Sequence, residues 1–254
     1  MKRGRVAFAG AIHEAYPESA PGRIRLADGR RPAEDKVVWP PPFEVGTVVA
    51  LGLNYADHAR ELAFSAQQEP LAFLKGPNSL IGHRGRTRRP ADATFMHYEC
   101  ELAVVIGAPA RRVGRGAAMA HVAGYTVAND YAIRDYLENW YRPNLRVKNR
   151  DGATALGPWM VDAADLPTRP ALELKTFVNG RQTQHGNTCD LVFDIPFLIE
   201  YLSAFMTLMP GDVILTGTPE GVTGVAVGDE VVCEIEGIGR LVNWVVGDAD
   251  FGRA

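Results

Sequence analysis

The stretch YECELAVVIG, residues 98–107, decides the reading of this chain. It opens with two acidic residues flanking a cysteine and runs into an unbroken apolar series that ends in glycine, the pattern of a strand entering a core. Side chains alternate along a strand, so Glu99 and Glu101 project from the same face, roughly 7 Å apart along the chain. Two carboxylates so placed repel unless water or a cation separates them. Mg²⁺ favours a small set of carboxylates with positions left open for water and substrate. Asp130, at the end of the apolar segment 122–130, is a candidate third ligand. By spacing alone the pair reads equally as solvated glutamates on an exposed strand face.

Working outward, 47–52, 71–75, 212–216, 230–236 and 240–246 read as further strands, and 196–206 as a helix with Pro196 in its first turn. Segments 117–122 and 134–140 read as helical, and 54–62 as one or two helical turns. The elements lack a regular strand–helix alternation, so the expected class is α+β and strand-rich. Pro40-Pro41-Pro42 reads as an extended connector. It divides a small N-terminal β-rich element, residues 1–45, from a main domain, residues 46–254.

Composition narrows the function. With 46% hydrophobic and 22% charged residues in 254, the chain can bury a sizeable core without disordered bias. A formal charge of -3 gives no global attraction to nucleic acid or an anionic membrane, which leaves a small molecule as the default partner. The one basic cluster, Arg84, Arg86, Arg88 and Arg89, reads as a solvated loop. Cys100, Cys189 and Cys233 form neither a CxxC pair nor an even set, which suits a reducing cytoplasm. The first residues hold too short an apolar run for a signal peptide, and no run reaches the roughly 18 residues of a spanning helix.

Three further sets carry open readings. His58 and Glu61 lie three apart, so on a helical turn the carboxylate can orient the imidazole as a general base, or the two make an ordinary surface contact. Lys148, between Arg146 and Arg150, is either part of a solvated edge or an ammonium aimed at an anionic ligand. The turn Thr216-Gly217-Thr218-Pro219 offers N–H groups and a hydroxyl to a carboxylate, or is only a turn.

The motifs together resemble the fumarylacetoacetate hydrolase superfamily: GLNYADHAREL (52–62), EPLAFLKGPNSL (69–80), HYECELAVVIG (97–107), GYTVANDYAIRD (124–135), RVKNRDG (146–152), FMTLMPGDVILTGTP (205–219) and GDEVVCEIEGIGRLVN (228–243). The resemblance covers roughly residues 46–246 in unbroken order. It implies the mixed β-sandwich or roll of that family's C-terminal domain. It also implies that Glu99, Glu101 and Asp130 hold one Mg²⁺ or Mn²⁺. His58 and Glu61 would then be a dyad on a lid helix and Lys148 an active-site lysine. Thr218 would bind the substrate carboxylate, and Arg134 would contact substrate. Where fumarylacetoacetate hydrolase proper carries a glutamine this sequence has Leu137, which argues against fumarylacetoacetate as substrate.

Within the superfamily, NDYAIRDYLENWYRPNLRVKNRDG (129–152), FVNG (177–180), PFLIEYLSAFMTLMPGD (196–212) and TGTPEGV (216–222) resemble the second half of the tandem isomerase/decarboxylases of 4-hydroxyphenylacetate catabolism. That narrower resemblance implies decarboxylation of 5-oxopent-3-ene-1,2,5-tricarboxylate, isomerisation of 2-hydroxyhepta-2,4-diene-1,7-dioate, or both. Arg134, Arg142 or Arg146 would hold the distal carboxylate. The family implies a homodimer or higher oligomer, or pairing with a homologous partner subunit. Two rival readings remain open. One is an acylpyruvate or fumarylpyruvate C–C hydrolase, or an oxaloacetate decarboxylase or tautomerase, on the same metal. The other is an inactive binding module, against which stands the presence of every candidate site residue.

Overall fold

The fold was obtained as a computed structural model, which describes residues 1–57, 68–137, 145–168 and 170–251. Its β-strands are β1 (Lys2–Phe8), β2 (Ala11–Pro17), β3 (Ile24–Leu26), β4 (Val48–Gly52), β5 (Leu71–Lys75), β6 (Leu80–Ile81), β7 (Arg86–Arg88), β8 (Met96–His97), β9 (Cys100–Ile106), β10 (Val122–Asp130), β11 (Ala132–Ile133), β12 (Thr154–Asp162), β13 (Glu173–Val178), β14 (Arg181–Asn187), β15 (Val213–Leu215), β16 (Glu230–Ile235) and β17 (Gly239–Val246). Among the described residues two α-helices accompany them, α1 (Leu145–Lys148) and α2 (Ile195–Phe205).

The large sheet runs β3-β2-β1-β12-β10-β9-β15-β4-β5, with β6 beside β12. It is mixed, since β15 pairs parallel with β4 but antiparallel with β9. The second sheet, β14-β13-β16-β17-β7, packs on it through β9, β10 and β12. The result is the strand-rich α+β sandwich expected. The three N-terminal strands extend the large sheet, because β1 pairs with β12.

Strand β9 is buried at every position, and its two faces serve different purposes. Cys100, Leu102, Val104 and Ile106 face the main core, which they share with Leu174, Val231, Cys233 and Leu241 of the second sheet. Ala103 faces the other way, into a smaller cluster with Ala50, Ala128, Leu156 and Leu215. The parity of Ala103 is that of Glu101, and that of Ala128 is that of Asp130. One sheet face therefore carries both acids beside small apolar residues.

Helix α2 forms as its periodicity predicts: Ile195, Leu198, Ile199 and Leu202 turn inward, each worth roughly 1.5–3 kcal/mol of burial. Asp194 caps its start by accepting from the Phe197 N–H at 3.0 Å. The helical segment expected over 117–122 is a single 3₁₀ turn, and so is the described part of the one expected over 134–140, of which residues 138–140 lie outside the described residues. The first turn is Ala118–His121. The second is Arg134–Tyr136, where the Arg134 N–H bonds the Phe95 carbonyl and the Asp135 carboxylate accepts from the Thr94 and Phe95 N–H groups. These tertiary bonds hold the backbone of 134–136 in its turn.

Candidate active site

Glu99 lies one residue before β9, Glu101 within it, and Asp130 at the end of the neighbouring β10. The two strands register Asn129 against Cys100, and the Asp130 N–H bonds the Glu99 carbonyl at 2.9 Å. The Asn129 side chain accepts from the Glu99 N–H. One carboxylate oxygen from each of Glu99, Glu101 and Asp130 lies within 4.8 Å of the others. Glu101 and Asp130 are wholly buried and Glu99 nearly so.

Lys148, at the end of α1, lodges its Nζ 2.7 Å from Glu99 Oε2 and 3.0 Å from Asp130 Oδ2. A second buried ammonium, that of Lys75 at the end of β5, donates to Asp130 Oδ1 and to the Lys148 carbonyl. Three carboxylates thus meet two lysines. Burial pushes the Glu101 carboxyl well above the usual carboxylate range, and the neighbouring Asp130 and Glu99 charges push it further. Burial works to lower Lys148, but Asp130, Glu99 and Glu101 together outweigh it and raise its pKa. For Lys75 burial wins against Asp130, so its pKa falls.

Glu101 Oε2 accepts from the Gly217 N–H at 2.5 Å, whereas Glu101 Oε1 has no hydrogen-bond partner among the described residues. Nor does Asp130 Oδ2 accept a well-aligned bond. A cluster of buried carboxylates with one oxygen, Glu101 Oε1, left without a partner suits a hard, oxygen-seeking cation. The residues therefore fit the divalent ion that the resemblance implies, which Glu99, Glu101 and Asp130 could hold.

Around this centre, Arg134 places Nη2 3.9 Å from Glu99 Oε1 and donates from Nε to His97 Nε2 at 2.7 Å. Arginine can only donate, so His97 Nε2 is unprotonated and its Nδ1–H faces the Tyr98 carbonyl at 3.1 Å. Burial holds the His97 imidazole down at about 4. Thr218 is buried in the turn after β15, next to the Gly217 N–H that bonds Glu101. Gly217 takes φ 92°, and a Cβ there would stand 3.1 Å from that of Asn54. Asn54 in turn donates to the Thr216 and Phe193 carbonyls and accepts from the Phe193 N–H.

The structure thus brings together Glu99, Glu101, Asp130, Lys148 and Arg134, with the Thr218 turn attached through Gly217. Arg146, on α1 with Lys148, lays its guanidinium over the Tyr136 ring, 4.0 Å from the centroid. His58, Glu61 and Arg142 lie outside the described residues. Sequence reading passed over Lys75 and His97. A lone lysine closing the apolar run 71–75 was one available signal. The parity of His97 with Glu99 and Glu101 was the other.

The chain belongs to an enzyme family: residues 47–246 match the fumarylacetoacetate (FAA) hydrolase C-terminal family. Over 208 residues the chain is 61% identical to the 4-hydroxyphenylacetate degradation bifunctional isomerase/decarboxylase of Salmonella dublin, covering 82% of this chain and 48% of that enzyme. The chain spans about half the length of the curated bifunctional isomerase/decarboxylases that it matches. A solved 5-carboxymethyl-2-hydroxymuconate delta-isomerase from Mycobacterium smegmatis superposes with a TM-score of 0.84 at 39% identity, covering 98% of this chain and 99% of that one. A 2-hydroxyhepta-2,4-diene-1,7-dioate isomerase from Mycobacterium marinum superposes at 0.82 with 35% identity, covering 98% and 99%. Among the described residues no helix is long and apolar enough to cross a membrane.

Proposed function

We propose that this chain decarboxylates 5-oxopent-3-ene-1,2,5-tricarboxylate, isomerises 2-hydroxyhepta-2,4-diene-1,7-dioate, or does both, with Mg²⁺ or Mn²⁺ held by Glu99, Glu101 and Asp130. The observation that carries the reading is the buried acidic triad, in which Glu101 Oε1 has no partner among the described residues, with a lysine ammonium wedged between Glu99 and Asp130. The names of the relatives supply the reaction types and the dienedioate, and the resemblance of the sequence motifs supplies the tricarboxylate.

Both reactions need one intermediate. In the tricarboxylate, the carboxyl that leaves is vinylogous to the 2-oxo group. Its C–C bond breaks, CO₂ departs, and the electron pair spreads into the oxo group as a dienolate. Isomerisation reaches the same dienolate by taking the proton of the substrate's 2-hydroxyl oxygen, and returns a proton at C5, the far end of the conjugated system, to leave the 2-oxo-3-ene acid. When bound, the metal supplies a Lewis acid for the carboxylate and oxo oxygens of the 2-oxo acid.

The chain's own residues do the rest in this reading. The Lys148 ammonium, kept charged by the three carboxylates, balances the negative charge that develops on the oxo oxygen. Thr218 receives a carboxylate oxygen. Arg134, its guanidinium tethered to His97, meets the distal carboxylate. His58 with Glu61 moves the proton. Residues 46–254 form the catalytic unit, and residues 1–45 a β element on its sheet edge. The enzyme works in the cytoplasm as a homodimer or higher oligomer, or beside a homologous partner subunit.

The test is incubation of metal-stripped protein with the tricarboxylate, with and without Mg²⁺, following CO₂ release and dienolate absorbance, with Glu101→Ala as control. Mg²⁺-dependent turnover lost in the variant is the expected result. CO₂-free cleavage of an acylpyruvate to pyruvate, or turnover of oxaloacetate alone, would move the assignment to the hydrolase or oxaloacetate branch. No turnover of any of the three would sink the enzymatic reading.

A further inference from the structure

The turn that carries Thr218 rests on β14, and one buried amide joins them. A Cβ added to Gly186 of β14 would stand 2.5 Å from Pro219 Cβ, so the strand lies directly against the turn. Gln184, two residues earlier on β14 and 2% exposed, donates from Nε2 to the Pro219 carbonyl at 2.8 Å and to Thr218 Oγ1 at 3.1 Å. Its Oε1 accepts from the Thr176 hydroxyl at 2.8 Å.

The polarity of this network is fixed without seeing a hydrogen. A carbonyl can only accept, so the amide nitrogen must face Pro219 and therefore also Thr218. Both amide hydrogens are then committed. Thr218 Oγ1, as acceptor, keeps its single proton for something else, and among the described residues that proton has no acceptor.

We propose that Gln184 is a positioning residue: by donating to Thr218 it turns the Thr218 hydroxyl proton outward, as a fixed donor for a carboxylate oxygen of the 2-oxo acid. This rests on the reading of Thr218 as the carboxylate-binding residue. The location supports it, because the adjacent Gly217 N–H already bonds Glu101 of the acidic triad. A carboxylate held by this donor is held alike in the ground state and during reaction, so its loss raises KM and leaves kcat nearly unchanged.

Gln184→Glu inverts the polarity at constant shape. Whether ionised or protonated with its one hydrogen on Pro219, the glutamate oxygen beside Thr218 accepts, and it draws the Thr218 proton away from the ligand. Gln184→Met removes the donor and supplies no acceptor. Thr176→Val breaks a bond of the same network without touching Thr218, since the Pro219 carbonyl still orients the amide.

The experiment is steady-state decarboxylation of the tricarboxylate in Mg²⁺, with thermal unfolding of every variant. Gln184→Glu is expected to raise KM roughly ten- to a hundredfold, the range for a hydrogen bond to a charged group. Gln184→Met should fall between it and the unaltered chain, and Thr176→Val should lower the melting temperature with KM unchanged. Thr218→Val should raise KM, and Gln184→Glu should add little on top of it. If Thr218→Val raises KM and Gln184→Glu does not, or if Thr176→Val raises KM as much as Gln184→Glu, the inference is overturned and the reading of Thr218 stands. If Thr218→Val leaves KM unchanged, or the unaltered chain turns over no tricarboxylate, the reading of Thr218 or of the substrate fails and the inference falls with it.

Discussion

The two faces of β9 and of the residues leading into it are built from opposite materials. On one face, Glu99 and Glu101 meet Asp130 and two lysines in a buried cluster where Glu101 Oε1 has no partner among the described residues. On the other, Tyr98 buries its ring completely, and its hydroxyl donates to Thr183 Oγ1 at 2.6 Å and meets Thr223 Oγ1 at 2.9 Å. The second face is neutral and satisfied; the first is charged and unfinished. Buried polar groups with all their bonds made specify a fold, whereas buried charges with bonds unmade cost stability until a ligand completes them. One strand holds both, a step of one residue apart.

The largest effect expected from this contrast is at Glu101. Its carboxyl pKa is raised by burial, then by Asp130 and Glu99, so the unfolded chain gives up this proton more readily than the folded one. Stability from this group is present at low pH and is lost as pH rises above the unfolded value near 4.5. Glu101→Gln keeps an acceptor for Gly217 and removes that cost. The metal-free variant should be the more stable protein, by a margin that grows with pH at roughly 1 kcal/mol per unit at most. Its metal-dependent turnover should nevertheless fall by about a thousandfold or more, the loss of several kcal/mol of charge stabilisation. The melting temperature with and without Mg²⁺ checks the pair: the unaltered chain gains on adding the ion and the variant does not. A variant that is both less stable and still stabilised by Mg²⁺ would mean that the two faces do not differ as described.

How much of this was legible beforehand follows the same division. The acids of β9 could be placed on one face because alternation is a local rule, and α2 announced itself by apolar spacing with Pro196 at its start. Strand β12 was hidden because Gly157-Pro158 interrupts it, and proline inside an apolar run argues against a strand. The β13–β14 hairpin turns on Asn179-Gly180, both at positive φ, a two-residue signal whose flanking strands are too polar to reinforce it. Lys75 was read as the end of a strand because its partner Asp130 lies 55 residues away. Gln184 meets Thr218 across 34. Periodicity speaks of faces, but the completion of a polar network is a property of residues that only the fold makes neighbours.

A smaller effect concerns acid. His83 is a neutral, satisfied group like those on the Tyr98 side: its Nδ1 accepts from the Val242 N–H at 3.1 Å, and its ring stands edge-on to Trp39. Burial, helped by the Arg84 charge, holds it down at about 3. The unfolded chain binds this proton near pH 6.5 and the folded chain does not, so stability falls as pH drops from about 6.5 toward 3. The slope from this residue is roughly 1 kcal/mol per pH unit. His83→Asn retains an acceptor and cannot be protonated, so its unfolding midpoint between pH 6.5 and 4.5 should flatten by that amount relative to the unaltered chain. Equal slopes would mean that His83 is protonated in the fold.

The smallest change tests the neutral face directly. Tyr98→Phe keeps the buried ring and removes the hydroxyl that ties β9's entry to Thr183 of β14 and to Thr223. The cost should be about 1–2 kcal/mol, a lost neutral hydrogen bond with its partners left to pair again. At 2–4 °C per kcal/mol for a chain of this size, the melting temperature should fall by about 2–8 °C. Mg²⁺ affinity and KM should not move, although Tyr98 is covalently next to Glu99, because its side chain points to the opposite side of the backbone. Should Mg²⁺ affinity drop with the melting temperature, the backbone would be transmitting strain from one face to the other. The satisfied network would then be holding the carboxylates in place as well as holding the fold.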